Sequence, residues 1–334
     1  YNTCKKLMQA AAVAMKYTLS RVYRRFVLDC LGPHLPEPEP ATSGPAAAPT
    51  RRLRILTLNT WGIPIAPLCA QRHERLARLL FAPGARRRWD VFAFQEVWHV
   101  RERRALVHAA RENGYPYHYF FAAGCGFPLW RGQTGTGLLV VSRLPVAEAF
   151  FRAFSVSGRP GMLHESDYIA SKGIGVVRID TGGAGGTIEL ATTHMLADYS
   201  GRPGSAADNY AGLRVVQACE AALFLRNRRE APLSVVVGDF NLGSGSLVVR
   251  LVRELCGLED AGEHLQGGTY GCADNPFCAN TPGGEQRLDH VLFKSSSEAG
   301  GWRLESSAVE RFFGDDGAPL SDHWGVSAVF ARGR

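Results

Sequence analysis

No run in this chain reaches the ~18 uninterrupted apolar residues that a membrane-spanning helix requires. Cysteine is too thin to be a scaffold: eight in 334 residues, with no Cys-x-x-Cys pair, exclude a disulfide-stapled mini-domain and a zinc knuckle. Cys272 and Cys278 are close enough in sequence to pair, but no partner motif accompanies them, so all eight read as reduced thiols. Charge of one sign is also missing from most of the chain. The net charge is +7, but nine Lys/Arg against three acids place +6 of it in residues 1–54 and leave +1 for the rest. A dedicated nucleic-acid binder carries its cations on the body that grips the phosphates, so nucleic acid is not the expected partner, a local basic patch being the alternative reading. No internal repeat is visible.

What is present is an ordinary globular composition, 46% hydrophobic and 21% charged, able to bury a sizeable core. The length suits one large α/β domain or two small ones. Residues 1–32 have helical spacing, with Leu7, Ala11, Ala14, Met15, Leu19, Val22 and Phe26 recurring mostly at three- and four-residue steps and Lys and Arg on other faces. Such a basic amphipathic helix either lies on an anionic membrane surface (residues 1–31) or packs on the body of the protein. Because the sequence opens on Tyr1, an acid-poor targeting segment is a further reading. Residues 33–51 form a Pro/Ala-rich linker with little to bury, and the folded domain is expected over 52–332.

In that domain strands and helices alternate. Strands are expected at 53–58, 90–95, 117–122, 137–141, 147–154, 175–179, 187–193, 233–238, 288–293 and 326–330. Helices are expected at 69–81, 102–113, 209–226 and 246–256, the third with Tyr210, Leu213, Val216, Ala221 and Leu225 on its buried side. Many strands, several of them hairpins, argue against a purely parallel sheet. Two packed sheets covered by helices fit better.

The chain is organised around Leu233–Gly243, where a β-branched run, Val235 to Val237, stops at Gly238 and is followed by Asp239 and Asn241. On an extended backbone residues two apart point the same way, so a carboxylate and an amide would project together from a strand end. Taken alone this is equally a strand running into an Asp-Asn turn. Its company decides. Asn59, Glu96, His194, Asp289 and the trio Ser321-Asp322-His323 each stand at the end or edge of a separate apolar strand, which predicts one polar rim. Asn59 and Glu96 offer the oxygen ligands that Mg²⁺ prefers. His323 beside acids suits a general base, with a carboxylate such as Asp289 fixing its tautomer.

Leu-Asn-Thr-Trp-Gly-Ile-Pro at 58–64, Gln-Glu-Val-Trp at 95–98, Gly-Thr-Gly-Leu at 135–138 and Thr-His-Met at 193–195 are followed by Gly-Asp-Phe-Asn at 238–241, Leu-Asp-His at 288–290 and Ser-Asp-His at 321–323. This ordered set resembles the endonuclease/exonuclease/phosphatase superfamily. Asp167-Tyr-Ile-Ala-Ser-Lys172-Gly and the loops ahead of Arg287 and Pro319 bring it nearest to the neutral sphingomyelinase and inositol phosphosphingolipid phospholipase C branch. The resemblance covers about residues 53–331. It implies a DNase I-like, four-layer α-β-β-α sandwich of two mixed sheets flanked by helices.

It also implies roles. Glu96 would be the principal Mg²⁺ ligand, assisted by Asn59, with Asp322 as an outer ligand. Asp239 and Asn241 would position the attacking water and the phosphate. His323, held by Asp289, would be the base. His194 would stabilise the phosphoryl oxygens or protonate the leaving alkoxide, and Lys172 would sit near the phosphate, paired in some members with an acid at the place of Asp167. Many animal relatives carry a second His two positions after the first, where Leu196 stands here, which alters the pocket wall.

The implied activity is Mg²⁺-dependent hydrolysis of a phosphosphingolipid, of phospholipase C type, by a peripheral, membrane-associated intracellular protein. The alternatives are a nuclease or phosphatase of the same fold, or a non-catalytic lipid-binding relative, which the intact set of acids, amides and histidines disfavours. An inositol phosphatase fits poorly, because Gly243 follows Gly-Asp-Phe-Asn-Leu with no Arg nearby for a polyphosphate. Apolar residues on the loops at 124–130 and 158–163, with Phe127, Leu129 and Trp130 foremost, would either enter a lipid headgroup region or tuck into the core.

Overall fold

In a computed structural model of the chain the described residues are 50–63, 66–81, 88–122, 135–158, 167, 170–183, 186–200, 208–296 and 301–333. The expected N-terminal helix, the linker up to residue 49, the loop at 124–130 and residues 159–163 lie outside them.

The described chain forms twelve strands and four helices. In chain order these are β1 (Arg52–Asn59), α1 (Cys69–Phe81), β2 (Val91–Gln95), α2 (Val100–Glu112), β3 (Tyr117–Phe120), β4 (Leu139–Ser142), β5 (Val146–Ala153) and β6 (Gly173–Asp180). There follow β7 (Thr187–His194), α3 (Ala211–Arg226), β8 (Leu233–Asp239), α4 (Leu247–Cys256), β9 (Glu259–Asp260), β10 (Asp289–Ser295), β11 (Trp302–Glu310) and β12 (Gly325–Arg332). One six-stranded sheet runs β11-β12-β1-β2-β4-β3 and the other β5-β6-β7-β8-β10-β9. Each sheet has one parallel pair, β1 with β2 and β7 with β8, among antiparallel neighbours.

Side-chain alternation along the strands builds the layers. Leu53 and Ile55 of β1 and Val235 and Val237 of β8 face the core between the sheets, together with Val91, Val177, Leu190, Val291 and Val326. Leu56 and Leu58 of β1 face the other way and pack with Phe92, Phe94, Leu76, Leu80 and Leu106 beneath α1 and α2. Val236 and Leu292 meet Ala218, Ala221, Val249 and Val252 beneath α3 and α4. This is the expected α-β-β-α sandwich of two mixed sheets. The apolar runs of β1, β2 and β8 lack an alternating polar face because both faces of these strands are covered.

Three details differ from expectation. The two-residue β9 was not anticipated, and neither was strand β11. The latter is a half-exposed edge strand with a bulge between Leu304 and Ser306, and its sequence has no apolar run. On α3 the buried side is formed by Arg214, Gln217, Ala218, Ala221 and Ala222, whereas Val216 is exposed. Gln217 is buried because its side chain accepts from Leu196 N and donates to Val156 O. Finally, Asn241 does not continue an extended strand: β8 ends at Asp239 and Asn241 has φ 56°. All five cysteines among the described residues, Cys69, Cys219, Cys256, Cys272 and Cys278, are free.

Candidate active site

The parallel pairs deliver their C-terminal ends to the same edge of the sandwich. Asn59 closes β1 opposite Gln95, the last residue of β2, and Glu96 follows. His194 closes β7 opposite Asp239, which closes β8, and Asp239 in turn faces Asp289 at the start of β10. Lys172 immediately precedes β6, and Asp322-His323 lies just before β12. Two glycines make the close approach possible. A Cβ on Gly238, where φ is 135°, would collide with the Thr193 carbonyl, and one on Gly62 would collide with the Glu96 carbonyl. Glu96 itself has φ 61°, a left-handed turn uncommon for a residue with a Cβ. This turn ends the strand and is where the carboxylate leaves the sheet.

A cavity of about 340 Å³ opens on this edge, and Glu96, Lys172, His194, Asp239, Asn241, Asp322 and His323 all line it. Asn59 and Asp289 are not among the lining residues but touch those that are. Asn59 Nδ2 donates to Glu96 Oε1 at 3.1 Å and to Asp239 Oδ2 at 2.9 Å, while its Oδ1 accepts from Trp61 N at 3.0 Å. As placed, Asn59 faces the acids with its donor and holds the two carboxylates, its own oxygen being engaged. Asp289 Oδ2 lies 2.8 Å from His323 Nδ1, which leaves His323 Nε2 toward Asp239 Oδ2 at 3.8 Å. Asn241 Nδ2 donates to Met195 O, and its main-chain N–H donates to Asp239 Oδ1 at 2.7 Å. The turn at Asn241 is what brings that N–H back onto the carboxylate. His194 Nε2 stands 3.6 Å from Asp239 Oδ2 and 3.9 Å from Glu96 Oε1.

Lys172 Nζ pairs with Asp167 Oδ1 at 3.0 Å and donates to Met195 O at 3.2 Å. Asp167 also accepts from the Tyr199 hydroxyl at 2.9 Å. Leu196 is buried.

Burial dominates the electrostatics of the site. It raises the Glu96 pKa above the usual carboxyl range. It pushes Asp239 up to about 6, with Asp289 adding repulsion and His323 and the Asn59 hydrogen bond opposing. Asp322 rises to about 7 through burial, with Glu96 adding to the shift and His323 and Arg72 opposing it. Burial, then Lys172 and His323, hold His194 well below 6.5. Burial opposes the charged form of His323 as well, but the attraction of Asp289 and Asp239 outweighs it and sets its pKa well above 6.5.

This concentration of buried carboxylates is what a hard divalent cation would relieve. Glu96 Oε2 is buried with no hydrogen-bond partner, so one oxygen of the right type is free. Ligand atoms of Asp239, Asp289 and His323 also lie within 4.8 Å of one another. Within that trio Asp289 Oδ2 meets His323 Nδ1 at 2.8 Å, while the other oxygen of Asp289, Oδ1, is buried without a hydrogen-bond partner. Glu96 lines the cavity and Asp289 does not, so Glu96 is the more accessible ligand, and the residues fit a metal ion.

Aromatic side chains frame the cavity and were not among the expected site residues. Tyr270 lies against the His323 ring at 4.7 Å between centroids, and Trp98 stands 6.5 Å from that of His194. Trp61 also lines the cavity and packs on Phe277 at 4.9 Å. Trp61 and Trp98 fall inside the recognised motifs. Tyr270 lies in a Gly-rich loop with no comparable signal.

A fold of this kind with an acid-amide-histidine rim defines a class. The chain belongs to the endonuclease/exonuclease/phosphatase family, whose pattern matches residues 56–323. Within that class it is similar to sphingomyelin phosphodiesterase 2 of Mus musculus, 30% identical over 300 residues, covering 83% of this chain and 65% of the mouse protein. It is also similar to the inositol phosphosphingolipids phospholipase C of Saccharomyces cerevisiae, 30% identical over 236 residues, covering 64% of this chain and 46% of the yeast protein. The chain thus spans about two thirds of one relative and about half of the other. The crystal structure of a doubly substituted beta toxin from Staphylococcus aureus with bound magnesium ions shares the fold, with a TM-score of 0.61, 18% identity and coverage of 84% of this chain and 99% of the toxin.

Proposed function

We propose that the chain hydrolyses a phosphosphingolipid such as sphingomyelin in a phospholipase C-type reaction, releasing ceramide and the phosphorylated headgroup. The observation that carries this reading is the convergence of Glu96, His194, Asp239, Asn241, Lys172 and the Asp289–His323 pair on one cavity. The names of the relatives supply the lipid. Against a nuclease stands the lining itself, where Lys172 is the one Lys or Arg among the described residues and is already paired with Asp167. A polyanionic strand needs several free cations.

Glu96 would hold Mg²⁺, with Asn59 orienting its carboxylate and Asp322 adding charge nearby. Bound there, the ion supplies charge neutralisation at the phosphoryl oxygens. A water between Asp239 and His323 gives its proton to His323 Nε2 as its oxygen bonds to phosphorus. The imidazolium that forms is supported by Asp289 through Nδ1. The bond from phosphorus to the ceramide oxygen breaks opposite, that oxygen leaves as an alkoxide and takes a proton from solvent water, and His323 returns the proton it accepted to solvent. His194, kept neutral by burial, donates a hydrogen bond to a phosphoryl oxygen rather than a full proton. Lys172 lends a positive charge and Asn241 a positioning contact. The site would act at a membrane surface, where its lipid resides.

The test is headgroup release from sphingomyelin, inositol phosphosphingolipid and a lysophospholipid, with DNA alongside, each with Mg²⁺ and with excess chelator. Mg²⁺-dependent release from a phosphosphingolipid is expected. Cleavage of DNA with no release from any lipid would overturn the substrate reading, and full activity in chelator would overturn the metal reading.

A further inference from the structure

Arg72 of α1 is a buried cation for which the chemistry above has no use. It is 3% exposed, and its hydrogen-bond partners among the described residues are all main-chain carbonyls. Nε donates to Pro67 O at 2.9 Å, Nη1 to Thr60 O at 3.1 Å and Leu320 O at 2.9 Å, and Nη2 to Trp61 O at 2.7 Å. Its guanidinium carbon also lies 4.6 Å from the centre of the Trp61 ring. A guanidinium buried without an ion-pair partner is costly. An apolar side chain such as Leu76, one turn along, holds the same helix to the sheet without that cost.

What only a planar fork with five donors can do is bridge segments that are remote in sequence. Thr60 and Trp61 directly follow Asn59, and Leu320 directly precedes Ser321-Asp322-His323. The single nitrogen Nη1 is bonded to both segments. The Ser321 hydroxyl ties the same two together from the other side, donating to Asn59 O at 2.7 Å and accepting from His323 N at 3.2 Å. The bond from Arg72 to the Trp61 carbonyl has a second consequence. Trp61 has φ 52°, and in that left-handed turn its N–H donates to Asn59 Oδ1. The amide of Asn59 is thereby turned so that its NH₂ faces Glu96 and Asp239.

We infer that Arg72 is a positioning residue for the hydrolytic site, fixing the segment after β1 against the segment before β12. It sets the separation of Asn59 from His323 and, through Trp61, the orientation of the Asn59 amide toward Glu96. For its kinetic readout the inference rests on the proposed function. Its metal-binding readout is independent of the substrate.

The experiment compares Arg72→Lys, which keeps the charge and loses the fork, with Leu76→Ala on the same helix. Leu76 is buried in the outer core and has no polar contact with either segment. Melting temperature, Mg²⁺ affinity by calorimetry, and kcat and KM on detergent-dispersed lipid are measured where all proteins are folded. Misplacement of reacting groups by about 1 Å costs on the order of 100-fold. Arg72→Lys is therefore expected to lower kcat at least ~30-fold with KM within ~3-fold, and to weaken Mg²⁺ binding at least ~10-fold. Leu76→Ala, at an equal loss of melting temperature, should keep all three within ~3-fold. If Arg72→Lys behaves as Leu76→Ala does, Arg72 is merely structural and the inference falls. Should Arg72→Lys fail to fold, Arg72→Gln, which retains two donors, is read against the same control. A wild type that binds Mg²⁺ but releases no headgroup would sink the substrate reading and leave calorimetry to decide Arg72.

Discussion

His323 and Asp289 come from positions 34 residues apart and meet with 2.8 Å between Nδ1 and Oδ2, both side chains buried. The contact fixes which ring nitrogen faces the cavity, and the carboxylate stabilises the charge that a base must acquire. Asp289→Asn preserves the shape and removes that charge. The expected result is a loss of about 10²-fold or more in kcat with little change in fold. The pH profile should move as well. His323 must be neutral to accept a proton, and its pKa lies well above 6.5 because Asp289 and Asp239 outweigh burial. Activity should therefore rise with pH on the alkaline side of 6.5, and Asp289→Asn should carry the midpoint to lower pH. A variant with an unmoved midpoint would remove Asp289 from its supporting role.

The second prediction concerns metal and stability. Glu96, Asp239 and Asp322 all have carboxyl groups raised by burial, so their ionised forms weigh against the folded state near neutral pH. A divalent cation held there binds only the folded chain. At 100-fold excess over its Kd it would add about 2.7 kcal/mol, which in a domain of this size raises the melting temperature by roughly 5 °C or more. Glu96→Gln should abolish most of that rise and lower turnover at least ~10²-fold. Calorimetric melts with Mg²⁺ and with chelator check it. Equal shifts in wild type and variant would place the ion elsewhere.

Much of this site was legible because its polar side chains stand where apolar strands stop. Asn59, Glu96, His194 and Asp239 each follow a run of buried residues, and a polar group in that place is conspicuous. Their pairing in space was less legible. Nothing in the spacing of Asp289 and His323 gives a 2.8 Å contact; Asp289 opens β10 in one sheet and His323 stands just before β12 in the other, so the contact follows from how the two sheets pack. The turn at Asn241 was one of two readings of Gly-Asp-Phe-Asn, which fits extended chain equally, and the sequence alone did not choose between them. β11 was missed for want of an apolar run, an edge strand needing none. On α3 the period was visible but its phase was not, since Arg214 and Gln217 are buried by polar contacts that hydrophobicity cannot register. Arg72 had no sequence signal at all, being one basic residue on a basic helix.

Acid stability gives a third prediction. His73 and His290 are fully buried, and burial first of all lowers each to about 4. A histidine whose folded pKa lies below its unfolded value of about 6.5 contributes stability that is present above 6.5 and lost as pH falls through about 4. The loss is on the order of 3 kcal/mol for each ring at the acid end of that window. Asp239, Asp322 and Glu96 act in the opposite sense, gaining from protonation, so the decline should be shallower than the two rings alone would give. His290→Gln keeps a donor for Leu242 O, which His290 Nε2 meets at 2.8 Å. Relative to its own value at pH 7, this variant should lose less melting temperature at pH 4.5 than wild type. Parallel curves for the two proteins would show that His290 does not carry the effect.

The last prediction addresses the segment ahead of the sandwich. Residues 1–31 carry Lys5, Lys6, Lys16, Arg21, Arg24 and Arg25 against Asp29, in a pattern with helical spacing, while β1 and its pairing with β12 begin at Arg52. A basic residue near an anionic surface contributes about 1 kcal/mol, and salt screens the attraction. If the segment binds membranes, its deletion should weaken binding to phosphatidylserine vesicles at least ~10-fold at low salt and much less at high salt. Hydrolysis of detergent-dispersed lipid should then stay within about 2-fold and the melting temperature within about 1 °C, because the core and both sheets are intact. A segment that packs on the sandwich would give the reverse, with vesicle binding unchanged and a melting temperature lower by several degrees. Flotation with vesicles and a thermal melt of the same two proteins separate these outcomes, and the second would end the membrane-anchor reading while leaving the active site untouched.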